Sequence, residues 1–138
     1  MEVTIKHLGG VQFEANARGH RVICDQPIEN GGSDTGMTPP EFLLAALGTC
    51  AGFYAAQYLK ARSLPAEGLA VRVSAGKAKP PARLDSFQIE VTIPGLDLHH
   101  QAGIARAVKA CLIHNTLLYS PSIETIVNPG SQAQCEAA

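Results

Sequence analysis

The chain has 138 residues, enough for one domain with a sizeable core and too few for two. Hydrophobic residues make up 46% and charged residues 17%, with a net charge of -1 and no basic block, which argues against nucleic acid or an anionic membrane surface as a partner. So little charge at this size suggests that another subunit covers part of the surface.

Met1–Lys6 lacks the apolar run of a signal peptide, and no stretch reads as the roughly 20 apolar residues of a bilayer span, so a cytoplasmic protein is expected. Val3 and Ile5, then Val11, Phe13 and Ala15, then Val22 and Cys24 alternate with polar residues, the period of half-buried strands. Gly9-Gly10 and Asn16–Gly19 fall where turns would join them into an antiparallel meander. Gln26–Met37 is rich in Gly, Pro, Asn, Ser and Asp and reads as a loop. Thr38, Pro39 and Glu41 form a T-x-x-E capping box with proline at the first helical position. The helix they open is expected from Phe42 to about Ala61. Leu43, Leu47, Cys50 and Tyr54 lie on one face, and enough apolar residues surround it for a central, largely buried element. Leu69–Ala75 and Ser86–Ile93 read as two more strands, joined through Pro80-Pro81. Asp97 caps a second expected helix, with Ile104, Val108, Cys111 and Leu112 on one face. A last short strand is expected at Ile123–Val127, which closes a single domain at 1–127, and 128–138 reads as a frayed tail. The order βββ-α-ββ-α(β) is an α+β pattern.

Four cysteines, at 24, 50, 111 and 135, show no C-x-x-C spacing. Without any mark of secretion, they are either buried filler or chemistry. Cys24 reads as strand filler and Cys135 as an incidental thiol in the tail. Cys50 and Cys111 both fall on apolar helix faces, so the residues alone leave inert core thiols and a reactive pair both open. A metal site needs clustered ligands, and only His114 lies near either cysteine, so no metal is expected. Gly31, Gly32 and Gly36 lack the G-x-x-x-x-G-K pattern of a phosphate loop and read as loop glycines.

Residues 31–50 read GGSDTGMTPPEFLLAALGTC, which closely resembles the G-P-[ST]-P-x-E-[LF]-L-L-A-A-L-G-x-C stretch of the OsmC/Ohr superfamily. Ala110–Leu117, ACLIHNTL, is similar to that family's C-P-[VIL]-x-x-[AT]-L motif, with Leu112 in place of the proline. The resemblance implies antiparallel sheets around two central helices, an intertwined homodimer and an active site at the subunit interface. It implies thiol-dependent reduction of organic hydroperoxides in oxidative-stress defence, with no bound cofactor and an external dithiol as reductant. By position Cys50 is the attacking thiol and Cys111 the resolving one.

Only a thiolate attacks, and a free cysteine of pKa ~8.5 is mostly protonated at neutral pH. Cys50, mid-helix, is too far from the helix N-terminus to gain from the macrodipole and needs a nearby cation or donor. Cys111, expected near a helix C-terminus, sits where the dipole disfavours a thiolate, which suits a resolving role. The family's hydroperoxidase branch uses an arginine in the N-terminal hairpin. Arg18 is the preferred match, with His20 and Arg21 as alternatives, and a solvated turn arginine is the bland reading. That branch also uses a glutamate directly after the motif proline. Pro40 holds that place here, and the acid is one step later at Glu41, about 180° around the helix from Cys50, so capping explains it without catalysis. Two other functions remain open on the same scaffold: binding of a small hydrophobic ligand, and a stress-induced dimer without turnover.

Overall fold

The alternating N-terminal segment forms the expected meander. In the computed structural model, which describes residues 1–129, β1 (Thr4–Gly9), β2 (Gln12–Ala17) and β3 (His20–Cys24) pair antiparallel in that order. The register sets Ile5, Ala15 and Val22 side by side, and likewise His7, Phe13 and Cys24. These residues make one apolar face, because side chains two apart on a strand point the same way. The opposite face carries Glu14 and Arg21, paired at 3.7 Å. Arg18 and Gly19 turn the second hairpin with φ of 54° and 81°, the two left-handed residues that a two-residue turn of this hand requires.

From β3 the chain enters the Gly-rich loop, which winds around one carboxylate. Asp25 is fully buried, and its side chain accepts from Gln12 Nε2 (3.1 Å), from the N–H groups of Gln26 (2.8 Å), Ser33 (3.1 Å) and Thr35 (3.1 Å), and from the Thr35 hydroxyl (2.8 Å). The wrap is tight enough that a Cβ on Gly32 would strike the Gln26 carbonyl. The Gln12 amide, followed by the Thr35 and Gln26 N–H groups, overcomes burial and holds this acid far below the usual carboxylate range.

The capping box forms as expected: Glu41 accepts from the Thr38 N–H (2.7 Å) and hydroxyl (2.8 Å) and starts α1 (Pro39–Lys60). Its buried row, Leu47, Ala51, Ala55 and Leu59, repeats every four residues. On the next row Gly48 and Gly52 let the helix come down on Val73 and Val71 of β4 (Ala70–Ala78), which pairs antiparallel with β5 (Arg83–Thr92). Ile104 and Val108 of α2 (Gln101–Lys109) close the core against Ala51, Ala55 and Leu59, with Tyr58, Val71, Ile89 and Val91 around it.

Four expectations need correction. First, α1 is not largely buried within one chain: Phe53 is 58% exposed and only the four-residue row is fully buried. Second, by length and composition α1 is apolar enough to cross a bilayer, contrary to the reading that no stretch is. Core helices share that property, and α1 uses it here to pack on β4, α2 and α3. Third, the second helix is two. α2 stops at Lys109, Ala110 leaves helical geometry (ψ -1°), and Cys111 is extended (ψ 132°) as the N-cap of α3 (Leu112–Leu118). The break keeps Cys111 buried while turning Leu112 outward. Fourth, Ile123–Val127 forms no strand: it runs exposed with no sheet edge beside it. An isolated strand leaves its backbone groups unpaired. Cys135 and most of the expected tail lie outside the described residues.

The α1–α2 crossing depends on Gly103, where an added Cβ would meet the Tyr58 hydroxyl. The Tyr58 ring is held in place by His100 (3.1 Å) and by the Arg62 guanidinium 3.7 Å above it. Gly103→Ala is therefore expected to destabilise the fold by about 1–3 kcal/mol, as overpacking does. Urea unfolding midpoints read at constant slope check this, and an unchanged midpoint would show the crossing to be loose.

Candidate functional site

Cys50 is placed by α1, half-buried on the side that meets α3. The preceding Thr49 returns its hydroxyl to the Ala45 carbonyl (2.8 Å), so no polar group of that residue competes for the sulfur. Cys111 is fully buried at the start of α3, anchored by its N–H to the Val108 carbonyl (3.1 Å) and by its carbonyl to the Asn115 N–H (3.0 Å). Both are free thiols. The fold brings them, 61 positions apart in sequence, close enough for each sulfur to act on the other's titration.

The two sulfurs are electrostatically unlike. Burial pushes the Cys50 thiol up, but hydrogen bonds from Cys111 and from the N–H groups of Ile113 and Leu112 outweigh it and hold Cys50 below the ordinary cysteine range. Burial and the hydrogen bond that it gives to Cys50 push Cys111 up, against opposing N–H groups of His114 and Ile113. Of the two, Cys50 is thus the sulfur that ionises more readily and Cys111 the one that ionises less readily. The expected position of Cys111 at a helix C-terminus is corrected. It caps a helix start, and its proton is retained because of burial and its neighbour.

Cys50's need for a donor is met by a different helix, through peptide N–H groups that no side-chain motif announces. Leu112 contributes one of them, at the place where the resembled motif has proline, which has no N–H to give. Among the described residues no cation acts on Cys50. Arg18 is exposed in its turn, His20 is exposed at the start of β3, and Arg21 is engaged with Glu14. Glu41 caps α1, and the Thr38 N–H and hydroxyl hold its carboxyl below the usual range. None of these four meets the cysteine pair in one chain. Cys24 is half-buried and lines a small apolar hollow with Phe13 and Phe42. Among the described residues no three His, Cys, Asp or Glu side chains cluster as metal ligands would.

A groove of about 520 Å³ is lined by Leu43 and Leu47 of α1, Phe87 of β5, and His114 and Leu117 of α3. Leu47 precedes Cys50 by about one helical turn and His114 follows Cys111 by the same spacing, though neither cysteine lines the groove itself. The arrangement permits a two-electron oxidation at Cys50 followed by attack of Cys111 on it.

Residues 31–126 match the family described as OsmC-like protein. No curated protein matches. Among solved structures, a Psychrobacter arcticus protein named for osmotic stress induction and a detoxification response superimposes with a TM-score of 0.76 at 19% identity, over 83% of this chain and 85% of that one. An OsmC-like protein from Mycoplasma pneumoniae gives 0.72 at 20% identity, over 85% and 86%. An organic hydroperoxide resistance protein from Elizabethkingia anophelis gives 0.63 at 19% identity, over 84% and 87%. At these identities the likeness shows the α+β fold.

Because donors favour the anion, Cys50 should alkylate faster than a free cysteine at any pH below about 8.5, with the advantage vanishing above it. Leu112→Pro removes one donor at a first-turn position that accepts proline. A net hydrogen bond of about 0.5–1.5 kcal/mol corresponds to a slowing of roughly 2- to 12-fold at neutral pH. Peptide-mapped alkylation rates across pH check both expectations.

Proposed function

The chain belongs to the OsmC-like protein family, and from that premise we propose that it reduces organic hydroperoxides with Cys50 as attacking thiol and Cys111 as resolving thiol. The observation that carries the reading is the meeting of a buried Cys111 and a half-buried Cys50, both free thiols, with Cys50 held below its ordinary pKa and Cys111 above it. The Cys50 thiolate attacks one peroxide oxygen; an S–O bond forms, the O–O bond breaks, and the alkoxide leaves as an alcohol on taking a proton. Cys111 then attacks the sulfenic sulfur, an S–S bond forms, and the hydroxyl departs as water with the Cys111 proton. An external dithiol reduces the disulfide by exchange and is itself oxidised. No resident metal or cofactor is required, and the proposed setting is the cytoplasm.

A second copy of the chain completes the proposal. The exposed surface includes the apolar face of the N-terminal sheet, where Ile5, Phe13 and Val22 are 58%, 39% and 44% exposed, and part of α1. Laying that sheet on a partner's helices would bury both and carry the Ala17–His20 hairpin to the partner's cysteine pair. Arg18 is then the leading cation for Cys50, with His20 and Arg21 behind it.

One observation favours a second reading. A groove of about 620 Å³ between β5 and α2, lined by Phe87, Ile89, Val91, Ile104 and Val108, would suit a small hydrophobic ligand bound without turnover.

Light scattering at micromolar concentration is expected to give twice the chain mass; a monomer with unchanged stability on dilution would refute the assembly. Cys50→Ser should abolish peroxide consumption. Cys111→Ser should allow one stoichiometric oxidation, leaving a sulfenic acid at Cys50 that a specific probe labels and that excess peroxide drives to the sulfinic form. Without label at Cys50 after one equivalent of hydroperoxide, the catalytic reading fails and ligand binding takes its place.

A further inference from the structure

We propose that Asp25 is the joint that aims the N-terminal sheet, and so a positioning residue for the cation that the Ala17–His20 hairpin delivers to a cysteine pair. The proposal rests on the functional reading above for the destination of that hairpin.

Asp25 belongs to neither the cysteine pair nor the core. It is a carboxylate with no exposed surface and no cation beside it, balanced by five hydrogen bonds to a single side chain. As a device for stability alone this is a poor choice, since a buried charge loses hydration that an apolar residue of similar size never had. What a carboxylate adds is direction, because each hydrogen bond fixes an angle as well as a distance.

The donors come from places that need to be fixed relative to one another. Gln12 opens β2, Gln26 follows β3, and Ser33 and Thr35 form the turn that leads into α1. Alongside, Cys24 bridges to Met37, and the Asp25 N–H reaches the Met37 carbonyl at 3.3 Å. Among the described residues the sheet packs as a layer on no helix and not on the second sheet; its inner face shares a hollow with the start of α1, where Ile5, Phe13, Ala15 and Cys24 stand opposite Pro39 and Phe42. The angle between sheet and α1 is therefore set at this junction.

That angle has leverage on the site. β3 runs from the hairpin turn to Asp25, five residue steps or about 16 Å of extended chain. A change of about 10° at the joint would swing the turn by about 3 Å, several times the ~0.5 Å tolerance of a working constellation. Arg18, at the tip of that arm, would lose its place while the sheet itself stayed intact.

The test is a double-mutant cycle in the full chain with Asp25→Asn, Arg18→Ala and both together, read by the pH profile of Cys50 alkylation with peptide mapping. Asp25→Asn keeps the shape but removes the charge and one acceptor. It should move the profile to higher pH and slow neutral-pH alkylation by about 3- to 10-fold, as a misplaced cation would. The double variant should go no further than Arg18→Ala alone, because the two act through one path. Thr35→Val, which removes two-sided hydroxyl pairing to Asp25 and Gln12 and leaves the charge, should shift the profile in the same direction by less; it serves where Asp25→Asn does not fold. The joint is overturned if the folded variants keep the wild-type profile, or if their shifts add in full to those of every hairpin variant. An unmoved profile in Arg18→Ala would instead fault the choice of Arg18, and His20→Ala and Arg21→Ala then take its place in the same cycle.

Discussion

The site hangs on the contact between the Cys50 sulfur and the first turn of α3. Cys50 lies in the middle of a long helix, where its own backbone N–H groups are spent on the turn before it and offer a thiolate nothing. The chain solves this by ending α2 at Lys109, extending through Cys111, and starting a new helix whose first peptide groups face Cys50. The same break places Cys111 beside Cys50, and their proximity lowers one thiol and raises the other. A single change in backbone direction thus supplies the donors, buries the second thiol and divides the two roles proposed for them.

The same chain is unfinished on its own terms. α1 is apolar around more of its circumference than β4, α2 and α3 cover, and the N-terminal sheet holds an apolar face to solvent. Exposed apolar surface on this scale marks a binding surface. In the assembly proposed above, these faces would cover one another, and the cation absent from the Cys50 environment would arrive from the partner's hairpin. In that proposal the junction around Asp25 would set where the sheet points and the sheet where the hairpin lands, on a sulfur that α3 has readied.

Close approach by small residues connects these parts. Gly48 and Gly52 bring α1 onto β4, and Gly103 brings α2 onto Tyr58. They fix the depth of α1 in the fold, and with it the distance from Cys50 to the break at Cys111. The cysteines therefore meet without a covalent tie, through shape and hydrogen bonding, which leaves both thiols free.

Much of the fold was legible in the sequence, because it depends on local periodicity and local capping. The meander, the capping box at Thr38 and Glu41, α1 and the β4–β5 hairpin all follow from neighbours within a few residues. The family's motifs named Cys50 and Cys111, and the helical period placed Glu41 on the far side from Cys50. Four features were decided only by tertiary structure. The break after Lys109 has no proline or glycine to announce it; it arises because burying Cys111 against α1 outweighs continuing the helix. The Leu112 N–H became a donor only when α3 was laid against α1. Nothing local marks Asp25, which precedes the loop read at Gln26–Met37, since its five donors come from segments up to 13 residues away. Ile123–Val127 is mostly β-branched, as a strand can be, yet a strand exists only where a second edge meets it.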